Sequence, residues 1–155
     1  MRSVVSLFQK NILSKSELEK LSAIIEKAER NTSGEIRIAI RKKREWKEKN
    51  LSIADLAVKE FYRLGMQRTR DKTGVLIFLL LSEKKLYIAA DETIDQMVDE
   101  GTWEKIADRM SKNFKEGNFF EGLSEAVQSV SEHLKKHFPR QPDDINELPN
   151  DIVQR

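Results

Sequence analysis

Seven consecutive apolar residues, Val75 to Leu81, stand between Gly74 and the polar tetrapeptide Ser82-Glu83-Lys84-Lys85, after which Leu86, Tyr87, Ile88 and Ala89 resume strand-forming chemistry. An unbroken apolar run of this length suits a strand covered on both faces better than one with a wet side. The polar four make a short hairpin connection, so the two strands pair antiparallel. The rest of the chain must then supply cover for both faces of a central strand.

Upstream, Ser14 and Glu17 have the spacing of a capping box, and Leu18, Leu21, Ile24, Ile25 and Ala28 recur at helical intervals. Asn31-Thr32-Ser33-Gly34 ends that helix, and Ile36, Ile38 and Ile40 alternate at the period of a strand. Ser52, with Asp55 three residues on, caps a second helix whose buried side is Ile53, Leu56, Ala57, Phe61 and Leu64, with Gly65 as its stop. Strand, helix, strand between residues 35 and 81 asks for a crossover that leaves the two strands parallel.

Downstream the pattern is helical: Ile94, Met97 and Val98, then Trp103, Ile106, Ala107, Met110 and Phe114, then Leu123, Ala126, Val127, Val130 and Leu134. The expected fold is α/β, a three-layer α/β/α sandwich around a small mixed sheet made of a parallel pair plus the antiparallel hairpin. Its 155 residues fit one domain. Residues 1–138 form that domain with a short N-terminal lead, and 139–155 form a proline- and acid-rich tail. The tail is either disordered or pinned to the body through Ile145, Leu148, Ile152 and Val153.

Cysteine is absent, which excludes disulfides, thiolate metal sites and cysteine nucleophiles within the chain. No segment has the roughly twenty apolar residues that span a bilayer, and the first twenty residues lack a signal-peptide core. A soluble, cytoplasmic protein is expected. With 28 basic residues against 26 acidic ones, the net charge of +2 offers no global case for nucleic-acid binding, so any electrostatic function must be local.

The ordered segments TSGEIRIAI, FYRLGMQRTRDKTGVLIFLLLSEKKLYIAAD, WEKI, FKEGNFFEGL and LKKHFPRQPDDINELP resemble the TPM-domain family, in particular its short, soluble bacterial branch. The resemblance spans roughly residues 14 to 150 and implies an α/β/α fold. Relatives include thylakoid-lumen proteins linked to photosystem II repair, some described as acid phosphatases or calcium binders; fold alone does not carry those roles across. The short branch has a G-D-x-G-I pattern after the hairpin, where this chain reads Ala90-Asp91-Glu92-Thr93-Ile94, and often a histidine at the position of Ala39.

Oxygen-rich side chains suggest where a hard cation such as calcium or magnesium would bind: Asp71 and Asp91 at the outer ends of the hairpin strands, Glu35 at the start of the first strand, and Asp95 one helical turn beyond Asp91. Helical spacing would align Asp91, Asp95 and Asp99. The competing reading is that these residues cap turns or form a solvated acidic face. A cation held there would polarise a phosphoryl oxygen and activate water, giving a phosphatase-like hydrolase. His133 and His137 have zinc-compatible spacing without the glutamate of H-E-x-x-H, which favours a surface pair.

Arg41, Lys42, Lys43 and Arg44, with Lys47 and Lys49 around Trp46, form the one concentrated basic segment, suited to phosphates or an anionic surface unless it is simply a solvated loop. No Walker loop, dinucleotide fingerprint or nucleophile elbow accompanies it. Binding or accessory interaction, through the sheet edge, the end loops or the tail, is the leading reading. A protein partner is expected on that basis. Cation-dependent hydrolysis and anion binding are the alternatives.

Overall fold

The structure, a computed structural model, describes residues 12–141, 149–150 and 152–155. Helix α1 (Lys15–Glu29) opens with the expected capping box: Ser14 Oγ accepts from the Glu17 N–H at 3.0 Å and Glu17 returns the bond to the Ser14 N–H at 2.9 Å. Strand β1 (Glu35–Arg41) follows, then α2 (Ile53–Arg63), which Ser52 caps by accepting from the Asp55 N–H at 3.0 Å. The hairpin is β2 (Gly74–Leu80) and β3 (Lys85–Ala90), and α3 (Glu92–Met97), α4 (Thr102–Lys115), α5 (Phe119–His137) and β4 (Val153–Gln154) complete the order.

The mixed sheet runs β3-β2-β1-β4. Parallel β1 and β2 align Glu35 with Gly74 through Arg41 with Leu80, and antiparallel β2 and β3 align Val75 with Ala90 through Leu80 with Lys85. Side chains alternate across the pleat, so Val75, Ile77 and Leu79 join Ile36, Ile38 and Ile40 in a core beneath α1, α4 and α5, while Leu76, Phe78 and Leu80 meet α2 on the other face. Every residue of β2 is buried. Two covered faces explain the unbroken apolar run.

Two features differ from the sequence expectation. Leu81 leaves the strand to open a 3-10 turn, Leu81–Glu83, and Lys84 takes a left-handed φ of 54° that lets the chain reverse into β3. The sheet also has a fourth strand: Val153 and Gln154 pair in parallel with Ala39 and Ile40. Two residues carry no periodicity to read. The Arg155 N–H donates to Ile40 O, and its guanidinium reaches buried Glu60 at 2.9 Å. Ile152 packs on one core and Val153 on the other, whereas Ile145 and Leu148 lie outside the described residues.

After α5 the chain returns across the loop between α1 and β1. Thr32 bridges Pro139, the Ser33 N–H donates to Phe138 O at 2.9 Å, and the Arg140 guanidinium donates to Glu29 O at 3.1 Å. No helix among the described residues is long and apolar enough to cross a membrane.

Candidate functional site

The hairpin leaves β3 at an edge of the sheet, with no further strand beside it among the described residues. The Asp91 N–H donates to Gly74 O at 2.8 Å, which makes Gly74 and Asp91 a hydrogen-bonded pair. Antiparallel ladders alternate bonded and non-bonded pairs, so Ala89, Tyr87 and Lys85 turn their main-chain groups toward β2. Leu86, Ile88 and Ala90 therefore direct theirs outward. Three alternate residues of one strand present donors and acceptors in the geometry a new strand would need.

That edge runs through a groove of about 320 Å³, with Val58 of α2 on one side and Trp103, Glu104 and Ala107 of α4 on the other. Val58 is 45% exposed and Tyr87 37%, so the walls offer apolar contact without rearrangement. The Trp103 indole is held in place: Nε1 donates to Asp95 Oδ1 at 2.9 Å, and the ring meets His133 edge-on with centroids 6.3 Å apart. The walls were not evident from sequence, although Val58 is an apolar residue lying off the buried stripe of α2, which is the signal that points to one of them.

The proposed cation ligands have separate engagements. Asp71 is exposed and faces the Arg70 guanidinium at 3.5 Å. Asp91 caps α3, its Oδ1 accepting from the Glu92 N–H at 2.8 Å, while its Oδ2 is buried with no hydrogen-bond partner. Asp95 receives the Trp103 indole. Helix α3 ends at Met97 and Val98 is extended, so Asp99 falls out of the expected row. Among the described residues, no three His, Cys, Asp or Glu side chains are arranged to hold a metal ion.

Glu35 lies across Gly74 from Asp91 in the sheet, but its carboxyl group meets Glu29 instead. Glu29, in the last turn of α1, is buried, and one of its oxygens accepts from the Ile36 N–H at 2.8 Å. Burial first, and the neighbouring Glu35 charge second, push the Glu29 carboxyl up to about 9. The Glu35 carboxyl beside it favours the protonated form of Glu29 both by its charge and as a hydrogen-bond acceptor for the added proton. Sequence reading missed Glu29 because a glutamate at a helix end looks like solvated surface.

At the other end of the sheet, Arg41 is buried and donates to Glu48 at 2.8 and 3.3 Å and to Lys43 O at 3.3 Å. The Arg44 guanidinium donates to Glu83 at 2.6 and 2.9 Å and to the carbonyl oxygens of Glu48 and Leu51. Planar forks suit such multiple acceptors. The Arg41 hydrogen bond holds the Glu48 carboxyl well below the usual range, and Arg44 likewise lowers Glu83. Both guanidiniums thus brace the loop. Lys42 and Lys43 remain exposed, and the Lys49 ammonium sits 4.4 Å from the centroid of the exposed Trp46 ring.

The sequence profile of the TPM domain matches residues 7–133. The NMR structure of the BA42 protein from the psychrophilic bacterium Bizionia argentinensis superimposes with a TM-score of 0.83 at 33% identity, over 94% of this chain and 97% of that one. The solution structure of the N-terminal domain of a protein from P. gingivalis gives a TM-score of 0.66 at 22% identity, over 83% and 80% of the two chains, a likeness of fold alone. No curated protein matches. Because the profile spans most of the sequence and BA42 is similar over nearly the full length of both chains, this chain belongs to the TPM-domain family.

Proposed function

We propose that this domain is a protein-binding module that takes an extended segment of a partner as an added strand along β3. The observation that carries this reading is the outward set of main-chain groups at Leu86, Ile88 and Ala90 lying in a groove with apolar walls. Main-chain hydrogen bonds supply affinity in this mode, and side chains on the two sides of the added strand supply selectivity. One side would meet Val58 and Tyr87, the other Trp103 and Ala107. Glu104 and Asp95 on the α4 side favour a basic residue among the apolar ones.

Ala90→Pro tests this directly, because it removes an outward N–H without removing a bond to β2. In the free protein, the amides of Leu86, Ile88 and Ala90 are expected to exchange hydrogen much faster than those of Tyr87 and Ala89. Synthetic peptides alternating Val or Tyr with Thr or Lys should slow that exchange at Leu86 and Ile88 and bind Ala90→Pro at least tenfold more weakly, about 1.4 kcal/mol. If such peptides leave these amides unprotected, or bind both proteins equally, strand addition is wrong. Val58→Glu, on the groove wall and off the ladder, provides a second variant with the same expected loss.

Cation-dependent phosphomonoester hydrolysis has less support, since Asp71, Asp95 and Glu35 are each turned to a different partner. Neither calcium nor magnesium is expected to raise the melting temperature at millimolar concentration. A native site would stabilise the fold by about 2.7 kcal/mol at a hundred times its dissociation constant, which a melting curve registers as several degrees. A shift of that size, abolished by Asp91→Asn, would restore the hydrolase reading.

A further inference from the structure

The two ends of the sheet differ in how their charges are arranged. At one end, Asp91, Glu92, Asp95, Asp99 and Glu100 around α3 are interspersed with Arg68, Arg70 and Lys72 of the turn before β2. At the other, the β2–β3 turn packs against the loop after β1, where the Ser82 N–H donates to Lys42 O at 2.9 Å. This second end exposes Lys42, Lys43, Lys47, Lys49 and Lys85, and from their midst projects Trp46, 79% exposed. Glu45 and Glu83 are the acids beside them, the first facing Lys47 and the second bound by Arg44. Of the two tryptophans, Trp46 is the exposed one, and it stands within a ring of lysines rather than on neutral surface.

The loop that carries Trp46 is not loose. Arg41 and Glu48, both buried, tie its two ends together, Arg44 hydrogen-bonds its backbone, and Trp46 sits in a 3-10 turn closed by Glu45 and Glu48. The tryptophan is therefore presented by a braced scaffold.

The chemistry of the patch selects among anionic partners. Guanidinium forks, which read a positioned phosphate best, are committed here to internal carboxylates, and the exposed cations are lysines, which act as mobile point charges. Lys49 covers one face of the indole, one of the two on which a nucleobase could stack. Among the described residues, the other exposed aromatics, Tyr62 and Tyr87, belong to α2 and β3 and do not continue a stacking path from Trp46. A single indole ringed by lysines instead matches the interface of an anionic bilayer, where tryptophan settles at headgroup depth and lysines gather negative lipids.

We propose that this end of the sheet docks reversibly on an anionic lipid surface, with Trp46 as the interfacial anchor and Lys42, Lys43, Lys47 and Lys49 as the lipid-facing charges. The mixed-charge end around α3 then points away from the surface. Each lysine near an anionic membrane contributes about fivefold in partitioning, the equivalent of about 1 kcal/mol.

The test uses the whole chain with phosphatidylcholine vesicles prepared with and without phosphatidylserine. Sedimentation should show binding only to the vesicles containing phosphatidylserine, weakening as salt rises, together with a blue shift in emission from Trp46, since Trp103 is already buried. Lys42→Gln with Lys43→Gln should lower partitioning by roughly 25-fold, and Trp46→Ala should lower it while leaving the melting temperature unchanged. Equal binding to both vesicle types, or undiminished binding by Trp46→Ala, would overturn the proposal. So would displacement from vesicles by single-stranded DNA at matched phosphate, because that outcome assigns the patch to nucleic acid. The emission shift of the unaltered protein stands independently of how any variant folds.

Discussion

Arg41→Met is expected to lower the free energy of unfolding by about 3 kcal/mol, because it strands a buried carboxylate. The Glu48 side chain is 2% exposed and that of Arg41 is 4%, so water cannot replace the lost guanidinium. Lys59 at 3.0 Å and the Glu45 N–H at 2.8 Å continue to hold Glu48, which places the loss at the low end of the usual range of about 3–5 kcal/mol for breaking a buried pair. Urea denaturation at neutral pH measures it. Adding Glu48→Gln should recover much of the loss, since the stranded charge is then gone.

The pH dependence of that pair has a definite sign. The Glu48 carboxyl is depressed in the folded state, first by the Arg41 hydrogen bond, so its contribution is present above the unfolded value and is lost as pH falls toward the folded one. Arg41→Met should therefore flatten the acid limb of the stability curve. A change below about 0.5 kcal/mol would mean that Arg41 is not committed to Glu48 and is available to bind an anion. The same experiment thus bears on how Trp46 is held and on which side chains of the basic loop face outward.

Most of the fold was legible because each of its main elements carries a local signal. Ser14 with Glu17, Ser52 with Asp55, and the alternation of Ile36, Ile38 and Ile40 all state their geometry within a few residues. The seven-residue apolar run announced a strand buried on both faces, and the two cores found there account for it. The fourth strand was not readable, because two residues held by pairing to β1 and by Arg155 on Glu60 depend on contacts over a hundred positions distant in part. The functional surfaces were partly readable for a similar reason. A carboxylate's type is visible in sequence, but whether Asp95 meets an ion or the Trp103 indole is decided by where α3 ends and α4 begins.

The basic segment shows how composition and geometry diverge. Six cations in nine residues suggested phosphate binding, and the structure divides them: two guanidiniums turn inward to Glu48 and Glu83, whereas the lysines stay in solvent. Arginine is more easily desolvated and forms two bonds at once, so it takes the bracing positions, and lysine with its more strongly hydrated ammonium keeps the exposed ones. The β3 groove and the lysine-rich end also occupy different parts of the molecule. Strand addition on one flank and lipid contact at one end are therefore compatible, and a partner could be captured while the domain is docked.

Glu29→Gln is expected to stabilise the protein above neutral pH and to remove a slope from its stability curve. The Glu29 carboxyl has an ordinary value of 4.5 and is raised to about 9, chiefly by burial and then by the Glu35 charge. Between those values the folded chain keeps a proton that the unfolded chain has released, so stability falls as pH rises, by about 1.4 kcal/mol per pH unit for one proton. Below 4.5 both states hold the proton, and above about 9 neither does, so the slope vanishes outside that window. Because Glu35 acts on the Glu29 carboxyl, the transition belongs to the pair, and Glu35→Gln should weaken it as well. Denaturation midpoints across the window should show a descending line for the unaltered protein and a flatter one for Glu29→Gln. Parallel lines would mean that Glu29 does not keep a proton across that window. The Ile36 N–H is the arbiter of the structural consequence: it donates to Glu29 at 2.8 Å at the point where α1 hands the chain to β1, so glutamine, which keeps an acceptor oxygen, preserves that junction while removing the charge.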